Sequence, residues 1–186
     1  MGCASHVQHV YVGAERRVTE TATIYTSRRA FVSSIVSVLS VDDQRVQETA
    51  TGYSVLPGAH VYQVWVDRLS TGSLFLLHDA YYTEAVCGFT LDAAPGSAYQ
   101  LLDVDNGSVT PEKEGGMYEA TVEIRSDSVL ARVPAECAGV DLFEHGLLEI
   151  PHDLSKGGLL CRSSSDCAKA EAACVIDAGH AFGICR

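Results

Sequence analysis

Through most of the chain, β-branched and aromatic side chains alternate with polar ones in short runs. These are "HVQHVYV", "TATIYT", "AFVSSIVSVLSV", "HVYQVWV", "AVCGFTL", "AYQLLDV", "YEATVEI" and "SVLARV". A period of two sends every second side chain to the same face, the pattern of a strand buried on one side. Turn signals punctuate the runs: "VDDQ", Pro57-Gly58, Ser70 to Gly72, Pro95-Gly96, Asn106-Gly107 and Gly115-Gly116. Seven or eight strands at short intervals, with little helix between them, predict an antiparallel β-sandwich.

The expected arrangement is immunoglobulin- or transthyretin-like, with a small disulfide-stapled C-terminal tail. Residues 1–5 form an N-terminal tether, 6–150 the sandwich domain, and 151–186 a connector and cysteine-rich tail. The connector is centred on "PHDLSKGGLL". In the tail, "SSSDCAKAEAACV" predicts a short helix rich in Ala, Lys and Glu. Ser163 and Asp166 have the spacing of a capping box, and Gly179 is a stop beyond the end.

The cysteines change the picture. There are seven, an odd number: Cys3 stands alone, Cys87 and Cys137 lie in the main body, and Cys161, Cys167, Cys174 and Cys185 crowd the tail. Structural zinc sites bring ligands in close pairs, whereas the tail spacing is C-x₅-C-x₆-C-x₁₀-C and no C-x-x-C occurs anywhere. That argues against zinc and against a thioredoxin-like redox pair. Disulfides are the expected state. On a helix Cys167 and Cys174 would be ~10 Å apart, beyond the reach of one bridge. The remaining pairings are 161–174 with 167–185, or 161–167 with 174–185. The first is preferred because crossed links lash both ends of the tail to the helix. Cys87 and Cys137 are read as a bridge in preference to buried free cysteines; it closes a loop of about 50 residues, which chain entropy values at ~4 kcal/mol. Bridges persist in oxidising compartments, so the chain is expected outside the cytosol: periplasmic, anchored at the outer membrane, or secreted.

Composition narrows the partners. The 186 residues are 47% hydrophobic and 20% charged, a globular balance, and the net charge is −11. Such a surface repels nucleic acid and anionic headgroups. The basic pairs Arg16–Arg17 and Arg28–Arg29 are isolated and read as solvated strand ends. No apolar run has the length of a transmembrane helix. "MGCASH" has neither the basic nor the apolar region of a signal peptide, so the start reads as a processed or trimmed form. Lipidation of Cys3 would account for the odd cysteine, and a free Cys3 accounts for it equally. N-myristoylation fits less well, because His6 stands where Ser or Thr is wanted.

"GCAS" resembles the end of a bacterial lipobox. "VSVLSVDDQRV", "SVLPGAHVYQVWV" and "GFTLDAAPGSAYQLLDVDNG" resemble small bacterial cell-envelope lipoproteins. The pattern is an L-x-P-G-x-H hairpin opening a strand, at Leu56, Pro57, Gly58 and His60, with His60 bonding across the hairpin as a structural histidine, then Ala94, Gly96 and Tyr99 entering another. The likeness covers residues 36–105 and departs at Asp43, where a Gly is usual. It implies a β-sandwich, a structural turn at Pro57, Gly58 and His60, a lipid anchor on Cys3, and no catalytic residues.

Catalytic signatures are absent from the sequence: no G-x-S-x-G, no H-E-x-x-H and no phosphate-cradling glycine loop. Neither a cofactor nor a resident metal is expected. His6 and His9 form H-x₂-H, but on a strand they face opposite sides, and they are read as part of a flexible N-terminal segment. "DVDNGS" breaks the order of a calcium loop and suits a hairpin turn. His78-Asp79 and His152-Asp153 lack a third group. The leading function is therefore a non-enzymatic exported module for a protein or glycan partner, with Trp65 and Tyr81-Tyr82 as candidate anchors. Two alternatives stand. One is a hydrolytic or metal-dependent enzyme with a site assembled from loops. The other is a protease inhibitor presenting "VIDAGHAFGI" from the stapled tail.

Overall fold

The computed structural model describes residues 6–26, 34–47, 50–71, 80–105, 117–140, 160–167 and 173–185. Residues 34, 67–71, 80–84, 139 and 140 are described by their backbone. Cys3, Arg28–Arg29, His78-Asp79, Asn106-Gly107 and His152-Asp153 lie outside the described residues.

The chain is mainly β. Its strands are β1 (Val7–His9), β2 (Ala22–Tyr25), β3 (Ser34–Val41), β4 (Gln44–Arg45), β5 (Gly52–Val55), β6 (Gly58–Thr71), β7 (Ala80–Ala93), β8 (Ala98–Asp105), β9 (Met117–Ser126) and β10 (Val129–Val140). All ten belong to one sheet of order β1-β5-β2-β8-β9-β10-β7-β6-β3-β4. The expected antiparallel sandwich of seven or eight strands is therefore corrected to one curled, mixed sheet. Two of its pairings are parallel, β1 with β5 and β2 with β8. Alternation reports which face of a strand is buried; it carries nothing about which strand lies alongside.

The curl follows from burying one face. The inward side chains of β2, β3 and β5 to β10 form a single core that includes Ile24, Val38, Tyr53, Leu101 and Val122. Strand β3 packs across it toward β8. The two edges also approach each other. Edge strand β1 places the Gln8 side-chain oxygen 2.6 Å from the backbone N–H of Gln47, just past edge strand β4. Both edges are short, which leaves little unpaired backbone. His9 is thus part of an ordered strand, not of the flexible segment that the sequence suggested.

Two turns set the shape. Val41 pairs with Gln44 across a two-residue loop in which Asp42 and Asp43 have φ of 48° and 63°. Positive φ at both central positions gives a turn whose twist matches the flanking strands. Aspartate tolerates this region, so Asp43 serves where glycine was expected. Gly58 follows Pro57 with φ 129°, but the turn is no hairpin. β5 pairs with β1 and β2, whereas β6 pairs with β3 and β7, so Pro57-Gly58 carries the chain from one side of the curl to the other.

The C-terminal region is a second, three-stranded sheet: β11 (Leu160–Cys161), β13 (Gly183–Cys185) and β12 (Cys174–Val175), in that order. The α-helix expected from Ser163 onward is corrected at its two described ends, and residues 168–172 lie outside the described residues. One 3-10 turn spans Ser164–Asp166, Cys167 is already extended, and Cys174 lies in a strand. Asp166 nevertheless closes the turn as its spacing implied: its carboxylate accepts the N–H groups of Arg162 at 2.7 Å and Ser163 at 2.8 Å. Burial alone would raise the Asp166 carboxyl. These N–H groups, the Ser163 hydroxyl and the Arg162 charge outweigh burial and hold it below its ordinary value.

Three disulfides join Cys87 to Cys137, Cys161 to Cys174 and Cys167 to Cys185. The tail pairs are the crossed ones, and what separates Cys167 from Cys174 is strand placement rather than helix rise. Cys87 and Cys137 are directly opposed on neighbouring β7 and β10, with both side chains wholly buried.

Tyr62 is a local irregularity in the core. Its ring stacks on Phe89 at 5.3 Å, yet its hydroxyl has no hydrogen-bond partner among the described residues. Burial pushes the phenol up, and the charge of Asp42 adds to the rise. Tyr62→Phe removes an unsatisfied buried group while keeping the ring, so stability at neutral pH is expected to hold or rise by ~1 kcal/mol. A phenol whose folded value is raised stabilises fully below its unfolded value of 10.0 and loses that contribution as pH climbs above it. The variant should therefore destabilise less steeply than the parent in alkali. Urea midpoints at neutral and alkaline pH check both; a clear fall at neutral pH would show that the hydroxyl has a partner after all.

Candidate functional site

The site grows from strands that are apolar on both sides. On the outer face, one row runs across the sheet through Trp65, Val86, Ala138 and Met117, each opposite the next in register. The tail lays Leu160, Phe182 and Ile184 over this row to form a second core. Trp65 is therefore buried beneath the tail and is not a surface anchor. Of Tyr81 and Tyr82, the structure describes the backbone, in β7.

The neighbouring row is Gln63, Gly88, Glu136 and Glu119, again in register. Gly88 is a notch. A Cβ there would lie 2.5–2.7 Å from the Phe182 ring, so only glycine lets the ring settle against the sheet. Beside the notch, the Glu136 carboxylate accepts the backbone N–H of Ala181 at 3.0 Å and that of Phe182 at 2.9 Å. Bonds to a charged acceptor are worth ~1.5–3 kcal/mol each. Burying the Phe182 ring adds a similar amount, about 1.5–3 kcal/mol. His180 Nδ1 approaches the same carboxylate at 3.7 Å. At the far end, Arg162 pairs with Asp43 in the β3–β4 turn. Both partners are substantially exposed, so that pair adds ~0–1 kcal/mol. The docked part of "VIDAGHAFGI" is accordingly Ala181 to Ile184, while Val175 and Ile176 remain exposed.

Docking leaves a groove of about 780 Å³ between the tail and the outer faces of β7, β10 and β9. Thr90, Thr121 and Pro134 form its floor, Phe182 one wall, and Glu119 and Asp105 line it with carboxylates. Glu119 is exposed and stands directly opposite Glu136, a like-charge pair that cross-strand physics disfavours. The N–H groups from the tail take up part of the Glu136 charge, and Glu119 gives the groove a negative potential. The lining contains no histidine, cysteine or serine. It offers acceptors, hydroxyls and negative charge, groups suited to polar recognition.

The sequence-predicted residues fall elsewhere. Cys87, Cys137, Cys161, Cys167, Cys174 and Cys185 are all in bridges. His60 is structural: Nδ1 lies 2.5 Å from the Asp42 carboxylate and Nε2 lies 2.6 Å from the Leu56 carbonyl. It ties the crossover turn at Pro57-Gly58 to the β3–β4 turn. His9 is engaged by the Tyr11 hydroxyl at 3.1 Å and by Glu15 at 3.6 Å. Sequence reasoning missed Gly88, Glu136 and Phe182. Gly88 carried a signal, because a lone glycine inside the apolar run "AVCGFTL" marks a close approach.

Gly88→Ala should push Phe182 out of its notch and cost ~1–3 kcal/mol of tail docking. The ten-stranded sheet should keep its circular-dichroism signature, while hydrogen exchange over Leu160–Cys185 speeds up. Unchanged exchange there would mean that the notch does not seat the tail.

No family model matches this chain, and neither a curated protein nor a solved structure matches it.

Proposed function

We propose that the chain is a non-enzymatic, exported cell-envelope module, tethered through a lipid on Cys3, that binds a protein or glycan partner in the acidic groove beside its tail. One observation carries this reading: six of the seven cysteines lie in disulfides, one in the main core and two in a tail too small to hold itself together. Such a chain belongs where disulfides persist. The odd cysteine is then free for another chemistry, and the "GCAS" likeness to a lipobox names it. The groove supports binding because its lining combines carboxylates and threonine hydroxyls with the Phe182 ring. Negative charge favours a partner segment carrying amines or guanidinium groups, and the hydroxyl and carboxylate acceptors equally suit sugar hydroxyls.

The compartment is tested by expressing the full gene in an envelope-bearing host and alkylating intact cells before lysis without reductant. Mass spectrometry should find three bridges and a lipid mass at Cys3, with the protein in the envelope fraction. Five or more alkylated cysteines would sink the exported reading. Binding is tested with arrays of basic peptides and of oligosaccharides. A ligand of the groove should lose about tenfold in affinity on Glu119→Lys, as expected for a rim charge facing its partner. Equal binding by parent and variant would remove the groove from the proposal.

A further inference from the structure

The tail sulfurs are closer together than their sequence spacing suggests. The Sγ atoms of Cys161, Cys167 and Cys185 all lie within 4.8 Å of one another. The Cys174 sulfur lies outside that triplet but is bonded to its Cys161 member. Cys174 also stands directly opposite Cys185 in the β12–β13 pairing, although each is bonded elsewhere. Three strands and one turn therefore set the two disulfides side by side, with three of their sulfurs clustered and the fourth one bond away. In a tetrahedral zinc site the Zn–S distance of ~2.3 Å sets the sulfurs ~3.8 Å apart. Reaching that geometry means separating each bonded pair and bringing the Cys174 sulfur in toward the other three.

We propose that Cys161, Cys167, Cys174 and Cys185 form a four-thiolate site for one zinc ion when their two disulfides are reduced. Each disulfide takes two electrons and two protons from a dithiol, which is itself oxidised to a disulfide. The four resulting thiols lose their protons as they ligate the ion. The spacing C-x₅-C-x₆-C-x₁₀-C lacks the close pairs of ordinary zinc motifs, and here the fold supplies the proximity instead.

What keeps the thiols together after reduction is a set of contacts without sulfur–sulfur bonds. Phe182 sits in the Gly88 notch, Glu136 holds two tail N–H groups, and Arg162 pairs with Asp43. Within the tail, the Cys174 N–H donates to the Ser164 hydroxyl at 3.2 Å and the Cys167 N–H to the Ser164 carbonyl at 3.3 Å. Cys161 is buried and the other three are partly buried, so the site is shielded yet reachable. Zinc and the two disulfides are alternative staples for the same tail, chosen by the redox state of the surroundings. This holds whether or not the chain is exported.

The test uses the full chain, reduced with excess phosphine, freed of reductant under anaerobic conditions, and titrated with cobalt(II). One cobalt per chain is expected, with a thiolate-to-metal charge-transfer band and the intense visible bands of a tetrahedral site. One equivalent of zinc should bleach them and restore slow proteolysis across Leu160–Cys185. The oxidised chain should show neither band. Cys167→Ser with Cys185→Ser should remove the tetrathiolate spectrum and weaken zinc binding more than about tenfold, whereas Cys3→Ser and Cys87→Ala with Cys137→Ala should leave it. Should the reduced tail unravel, zinc must still refold it, because ligation and folding are coupled. Absence of the bands, bands that survive the Cys167 and Cys185 changes, or failure of zinc to restore protection would each overturn the proposal.

Discussion

Strands β6, β7 and β10 are apolar on both faces, and a strand with two apolar faces must be covered twice. Their inner faces close the core by curling the sheet, with Val64, Cys87 and Ala135 pointing inward. Their outer faces carry Trp65, Val86 and Ala138, which water would otherwise meet as one continuous patch. The tail covers it. The cysteine-rich C-terminus is thus less an appendage than the second layer over the middle of the sheet. The groove exists because that layer reaches Met117 of β9 but leaves Thr121 and Glu119 of the same strand uncovered beside Phe182.

Much of this was legible, and the unread part has a common cause. Every apolar run named in the sequence contains or overlaps a strand, because alternation is dictated locally by burial of one face. The parallel partners of β1 and β2 were illegible, because pairing is decided between segments distant in the chain. The tail was misread for a related reason. "DCAKAEAACV" has high intrinsic helix propensity, but at Cys167 and Cys174 propensity differences of tenths of a kcal/mol per residue yield to cross-links and strand pairing. Cys167 is extended and Cys174 sits in β12 because their partners Cys185 and Cys161 hold them there.

The site divides the same way. His60 was readable as a structural histidine from the turn beside it, although its partner proved to be Asp42 in a different turn rather than a residue across a hairpin. Glu136 was not readable at all. A glutamate at an outward strand position looks like a solvated charge, and nothing nearby in sequence announces that Ala181 and Phe182 will bring it two N–H donors. Gly88 lay between these cases: the anomaly was visible, but its occupant was not.

The forces that position the tail are separate from those that cross-link it. Its sulfurs bond only to each other, while Phe182, Glu136 and Arg162 make the contacts to the sheet. A three-stranded unit of this size buries too little apolar surface to fold alone, and its bridges stabilise it chiefly by restricting the unfolded tail. The docking contacts instead act on the folded state, by filling the notch and satisfying a carboxylate that would otherwise face Glu119 across the ladder. Loss of one set therefore weakens the tail without dispersing it, because the other still holds the chain near its place. That separation allows one short segment both to complete the hydrophobic covering of the sheet and to hold two disulfides side by side.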